Sequence, residues 1–131
     1  MDNSNLKEER CYNFSVRIYK LCRYLQNERR EYIITNQLFR SGTSISANIA
    51  ESKYAQSTAD YISKHQISLK EASESRYWIK LLYDTDNIIE KEYESLYNDV
   101  EEIIKILSSI ICTLKDKEEK KKEEKKKGKK N

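Results

Sequence analysis

Glu71 and Glu74 stand three positions apart, between the apolar residues Ile67 and Trp78. On a helix that spacing places both carboxylates on one edge. Two carboxylates held together in a partly apolar setting are raw material for general acid–base chemistry, because burial and mutual repulsion separate their pKa values. The same pair can instead be a polar network that fixes the register of packed helices, which requires only donors close by. Arg40, Asn48 and Arg76 are the candidate donors, with Glu51 at the edge of the same polar set. Catalysis would need a second catalytic element that the chain does not offer, so the network is the preferred reading.

Other chemistry is mostly absent. A di-metal carboxylate site in a helical bundle needs Glu-x-x-His on two helices. The chain has a single histidine, His65, and Ile62 occupies the position three residues before it. His65 is therefore read as a core-edge histidine with a hydrogen-bond partner. Cys11, Cys22 and Cys112 show no C-x-x-C spacing and read as small apolar residues in a reducing cytoplasm. No glycine-rich phosphate loop and no paired nucleophile and base can be found. The expectation is a non-enzymatic protein with no catalytic residues, no metal and no cofactor.

Basic residues offer a different chemistry. Arg10, Arg17, Lys20 and Arg23, followed by Arg29 and Arg30, are interleaved with Tyr12, Tyr19, Tyr24 and Tyr32. Such mixtures pair with phosphates and stack on bases. The competing reading is a solvated face neutralised by Glu8, Glu9, Glu28 and Glu31. The net charge of +3 hides an asymmetry, since Lys115 to Lys130 holds ten lysines against five acids while the preceding 114 residues are mildly acidic. Residues 115–131 are expected to be a mostly disordered basic tail, either a solubilising end or a nucleic-acid arm.

Four helices must position these groups. With no proline and only two glycines among 131 residues, the chain has few breakers and the length of one domain, residues 1–114. Cys11, Phe14, Ile18, Leu21, Cys22 and Leu25 form the apolar stripe of a first helix over about Lys7 to Asn27. Tyr12, Val16 and Tyr19 form another stripe on the same helix, which suits an oligomer interface or an ordinary tyrosine-bearing surface. A second helix spans about Ile34 to Lys53, with Thr35 fitting as its N-cap. Leu38, Phe39, Ile45 and Ile49 supply its bulk, with Leu38, Ile45 and Ile49 on one face. Gly42, Ser46 and Ala50 at intervals of four form a small face expected to seat the third helix closely.

Ser57-Thr-Ala-Asp60 has the form of a capping box that opens the third helix, which extends to about Asn87. Tyr61, Ile62, His65, Leu69, Ala72, Ile79 and Tyr83 form its main face. The fourth helix, about Lys91 to Leu114, has the clearest periodicity, through Leu96, Val100, Ile103, Ile104, Leu107, Ile110, Ile111 and Leu114. Short connections make neighbouring helices antiparallel, giving an all-α, up-down-up-down four-helix bundle. No apolar run approaches the roughly 18 residues of a membrane span, so no membrane association is expected.

Gln37-Leu-Phe-Arg40, Ser44-Ile-Ser-Ala-Asn-Ile-Ala-Glu51 and the run Leu69 to Leu82 resemble a bacterial four-helix bundle family. That family is named for proteins encoded in intervening sequences of large-subunit ribosomal RNA genes. The resemblance covers about Phe14 to Leu114. It implies a non-enzymatic homo-oligomeric ring, a pentamer by preference, and carries over no catalytic residue. Relatives of the family include the accessory variability protein of diversity-generating retroelements, which works with a reverse transcriptase and RNA. By that resemblance RNA is favoured over DNA as a partner of the basic faces; a protein partner without any nucleic acid is the alternative.

Overall fold

A computed structural model describes residues 3–129 and contains four helices in chain order: α1 (Asn3–Arg29), α2 (Ile33–Ser52), α3 (Thr58–Asp84) and α4 (Glu90–Lys129). Residues 1 and 2 of the expected bundle domain, and 130 and 131 of the expected tail, lie outside the described residues. Each helix packs on its neighbours in the chain, and α1 also meets α4 more sparingly, as an up-down bundle requires. The core contains stripes read from periodicity: Phe14, Ile18 and Leu25 from α1, Leu38, Ile45 and Ile49 from α2, Ala72 and Ile79 from α3, and Leu96, Val100 and Leu107 from α4. Leu82 of α3 joins them, while Tyr83 of the expected main face is half-buried at their edge.

Local chemistry sets the helix ends. Thr35 does not cap α2 but lies buried in its first turn, its hydroxyl donating to the Glu31 carbonyl at 2.7 Å. Glu31 supplies the cap instead, because its carboxylate accepts from the backbone N–H groups of Ile34 at 2.9 Å and Thr35 at 2.8 Å. A carboxylate there also suits the positive end of the helix dipole. At α3 the expected cap is present: Ser57 accepts from the Asp60 N–H at 3.0 Å, and the Asp60 carboxylate accepts from the Gln56 N–H.

Helix α3 ends before Asn87 because the chain turns left-handed at Asp86, with φ 63°. Asn87 N–H then reaches the Leu82 carbonyl, and Asp86 N–H reaches that of Tyr83. This is a Schellman closure with aspartate in the place usually taken by glycine.

Two further expectations change. The face of Gly42 and Ser46 seats α1, not α3. A Cβ on Gly42 would stand 2.9 Å from Ile18 Cγ2, and the Ser15 hydroxyl donates to the Gly42 carbonyl at 2.8 Å while lying 2.7 Å from that of Ser46. Ala50, farther along, is exposed. Helix α3 is seated by the other side of α2, where Ser75 meets the Ser41 hydroxyl at 2.8 Å and Ser68 donates to the Ile45 carbonyl at 2.8 Å. A helix wedged between two neighbours needs small residues on two sides, and a wheel cannot say which neighbour takes which side.

The second change concerns the tail. Helix α4 continues to Lys129, where composition suggested disorder. Lysine and glutamate are both good helix formers, and neither proline nor a β-branched residue interrupts residues 115–127.

Candidate functional site

The Glu71–Glu74 pair is a bridged cluster. Arg40 on α2 reaches across to both carboxylates on α3, at 3.3 Å to Glu71 and 2.7 Å to Glu74. Burial pushes the Glu71 carboxyl up from its ordinary range, with Arg40 opposing, while the hydrogen bond from Arg40 holds Glu74 down. The other expected members stand apart. Asn48 donates to the Ser44 carbonyl within its own helix at 2.8 Å, Glu51 pairs with Lys64 at 2.9 Å, and Arg76 pairs with Glu101 on α4. The expected network therefore contracts to Arg40, Glu71 and Glu74, a clamp between α2 and α3.

His65 is fully buried and has partners on both ring nitrogens. Its Nδ1 lies 2.9 Å from the Tyr61 carbonyl, which can only accept, so Nδ1 carries the proton. Nε2 is then the acceptor for Lys7 Nζ at 3.0 Å, and Lys7, itself 3% exposed, donates to the Tyr61 hydroxyl at 2.6 Å. Burial lowers the His65 pKa and the Lys7 ammonium lowers it further, against the opposing Tyr61 carbonyl. Lysine at this position gave no sequence signal, since it reads as one more charge at the start of a helix. Burial also pushes the Cys11 and Cys22 thiols up to about 12. Among the described residues, no group of three or more His, Cys, Asp or Glu side chains could hold a metal ion.

The six basic residues separate into two sets. Arg10 and Arg17 face α4, where Arg10 pairs with Glu102 and Arg17 pairs with Asp99 at 2.7 Å and Glu92 at 3.6 Å. They strut the α1–α4 seam over a groove of about 380 Å³ that reaches Phe14 and Ile103. Lys20, Arg23, Arg29 and Arg30 remain exposed toward the α1–α2 end. There Arg29 donates to Asn87 at 3.1 Å, and Arg30 takes a left-handed φ of 55°. Tyr24 and Tyr32 are exposed nearby in the chain, and a groove of about 530 Å³ lined by Lys20, Tyr24, Arg29 and Ile89 runs beside α4. The acids expected to neutralise this face include two with other work: Glu8 pairs with Lys53, and Glu31 caps α2.

Tyr12 and Tyr19 are 65% and 50% exposed, with Val16 half-buried between them. Phe39 of α2, 42% exposed, joins them, its ring centroid 6.0 Å from that of Tyr19. Tyr12 also lines an open groove with Ser46, Ala47 and Ala50. Sequence reading counted Phe39 as bulk inside α2; its place next to Arg40, off the Leu38–Ile45–Ile49 stripe, was the available signal.

The fold and its surfaces define a four-helix bundle with tightly seated small-residue seams, a clamped carboxylate pair and one exposed aromatic face. The family described as 23S rRNA-intervening sequence protein matches residues 7–109, and the chain belongs to that family. A solved structure of a protein of unknown function from the S23 ribosomal protein family of Bacteroides thetaiotaomicron VPI-5482 is similar at 47% identity and a TM-score of 0.82. The match covers 84% of this chain and 98% of that one. No curated protein matches the chain. No helix among the described residues is long and apolar enough to cross a membrane.

Proposed function

We propose that this protein is a cytoplasmic, non-enzymatic, homo-oligomeric bundle that binds nucleic acid, RNA in preference to DNA, through basic helix surfaces. The observation that carries the reading is the cluster at the α1–α2 end. Lys20, Arg23, Arg29 and Arg30 stay exposed beside Tyr24 and Tyr32 while Arg10 and Arg17 are consumed by the α4 seam. Cations supply salt-dependent phosphate affinity, and the tyrosine rings supply stacking platforms. The preference for RNA rests on the family resemblance. A non-enzymatic role is supported by the Arg40 clamp, which ties up Glu71 and Glu74.

Self-assembly, with a pentameric ring as the form the resemblance favours, is supported by the Tyr12, Val16, Tyr19 and Phe39 face. Aromatic side chains of this kind suit interface cores. A ring would repeat the basic cluster around its circumference and multiply a weak contact into avidity. Mass by light scattering and titration of a labelled single-stranded RNA at rising salt test both parts. The expected outcome is an oligomer whose RNA affinity falls with salt and is lost on Lys20→Glu with Arg23→Glu. A monomer indifferent to RNA refutes both. The second reading, a scaffold for a protein partner, is favoured by the exposed Ile33 and Ile89, 83% and 71% exposed. It predicts partner capture that survives nuclease treatment.

A further inference from the structure

The continuation of α4 past Leu114 gives its lysines a geometry that composition alone hides. At about 100° per residue, Lys115, Lys117, Lys121, Lys122, Lys125 and Lys126 fall within one half of the helix surface, with Glu118 the single acid among them. The opposite half, through residue 127, holds the other four acids and two lysines. Lys117, Lys121 and Lys125 form a row at intervals of four, about 6 Å apart along the axis. From Lys115 to Lys129 the extension is about 22 Å long at 1.5 Å per residue, and its side chains from Lys115 to Gly128 are exposed apart from a half-buried Glu118.

The central row does little for the helix itself, since Lys117 and Lys125 have no acid three or four positions away. Like charges at intervals of four repel and weaken an isolated helix, whereas alternating signs along the same row would support it. It does not serve the bundle either. Among the described residues, the ion pairs engage Arg10, Arg17, Arg40, Lys53, Lys64, Arg76 and Lys80 of the bundle and none of the lysines of the extension. Residues 115–129 contain no aromatic and no apolar side chain. The surface can therefore neither stack on bases nor insert into a lipid interface, which requires an apolar face. What remains is repeated point-charge recognition by flexible ammonium groups, and its complement is a chain of phosphodiesters.

We propose that the extension of α4 is a sequence-independent arm for the nucleic-acid backbone, with Lys117, Lys121 and Lys125 as its central contacts. This deepens the nucleic-acid reading above and rests on it. A polyanion along the row converts the repulsion between lysines into shared attraction, so the arm gains helical stability as it binds.

The experiment transposes charge without changing it. The full-length variant K117E/E119K/K121E/E123K keeps composition and net charge but breaks the row. The extension does not pair with the bundle, so the variant should keep its thermal midpoint, which is the control for folding. Binding of a labelled 20-base-pair RNA duplex is followed across salt concentrations. Moving two lysines off the row should lower the slope of log affinity against log salt by about 2, at roughly 0.9 per phosphate contact. An unchanged slope and affinity in this variant, with binding lost in Lys20→Glu/Arg23→Glu, overturns the arm and leaves the proposed function standing. The reverse pattern supports the arm and removes the α1–α2 end. Wild-type protein that ignores the duplex overturns the arm, and the single-stranded RNA titration then decides the proposed function separately. Tighter binding to phosphatidylserine vesicles than to the duplex also overturns the arm.

Discussion

Gly42→Ala should destabilise the bundle even though alanine is the better helix former. In a helix interior the exchange gains about 1 kcal/mol from propensity. Against this, the new Cβ would stand 2.9 Å from Ile18 Cγ2 and 3.2 Å from both Ile18 Cβ and Cγ1. Those atoms lie at the branch point of a stiff β-branched side chain that is fully buried, so they cannot swing away. Overpacking of this kind costs about 1–3 kcal/mol. Separating α1 from α2 to relieve it would also stretch the Ser15 bond to the Gly42 carbonyl, with about 0.5–1.5 kcal/mol at stake. The net expectation is a loss of about 1–3 kcal/mol on these terms, read as a lower urea midpoint at constant slope.

The sign should reverse when the obstacle is removed. Ile18→Ala deletes the crowding Cγ atoms and itself costs about 2–5 kcal/mol. Adding Gly42→Ala to that variant should recover about 1 kcal/mol through propensity, with partial filling of the cavity in addition. Gly128→Ala is the control, because nothing lies within 4 Å of its Cβ. If Gly42→Ala raises the midpoint in the wild-type background, or has the same effect with and without Ile18, the α1–α2 seam is not as closely seated as described.

His65 is the only histidine and is held neutral, with its pKa lowered by burial and Lys7. The unfolded state binds the proton more readily, so this contribution is full above the ordinary value of 6.5 and is lost as pH falls through the lower folded value. The urea midpoint of the wild type should decline below pH 6.5, and His65→Gln should flatten that decline; equal slopes would refute the assignment. Thiol labelling checks the core: in native protein iodoacetamide should modify exposed Cys112 rapidly, while buried Cys11 and Cys22 wait for unfolding. Rapid modification of all three would place α1 outside the core. Arg40→Met should cost about 1–2 kcal/mol by leaving Glu71 buried without its cation, discounted because Arg40 is half exposed. Adding Glu71→Gln should recover most of this, measured by the same urea unfolding.

The fold was legible where one physical term dominated. Periodicity placed the core stripes of α1, α2 and α4 because each presents one face inward, and Ser57 with Asp60 announced the start of α3. Errors arose where a residue type served outside its usual role. Glutamate at position 31 caps a helix from the position before the N-cap Tyr32, and aspartate at 86 adopts the left-handed turn that glycine normally takes. The serines of α3 were missed for a related reason. Ser68 and Ser75 are fully buried with Ala72, although their types suggest solvent. Their spacing of four and three repeats the small-residue pattern of α2, which was the signal that two small faces meet.

The surfaces were harder to read because a sequence counts charges without pairing them. Arg10 and Arg23 look equivalent along the helix, yet one meets Glu102 and the other meets solvent, a difference fixed by where α4 lies. Lys7 is the extreme case, a cation carried into the interior by a neutral imidazole and a phenol. The extension of α4 is the converse: its charge was plain in composition, but a charge run acquires direction only when the backbone is helical. Helicity turns eight lysines between 115 and 127 into one row that repels itself and one flank balanced by acids. That asymmetry gives the extension a face, and a face is what a phosphate backbone can recognise.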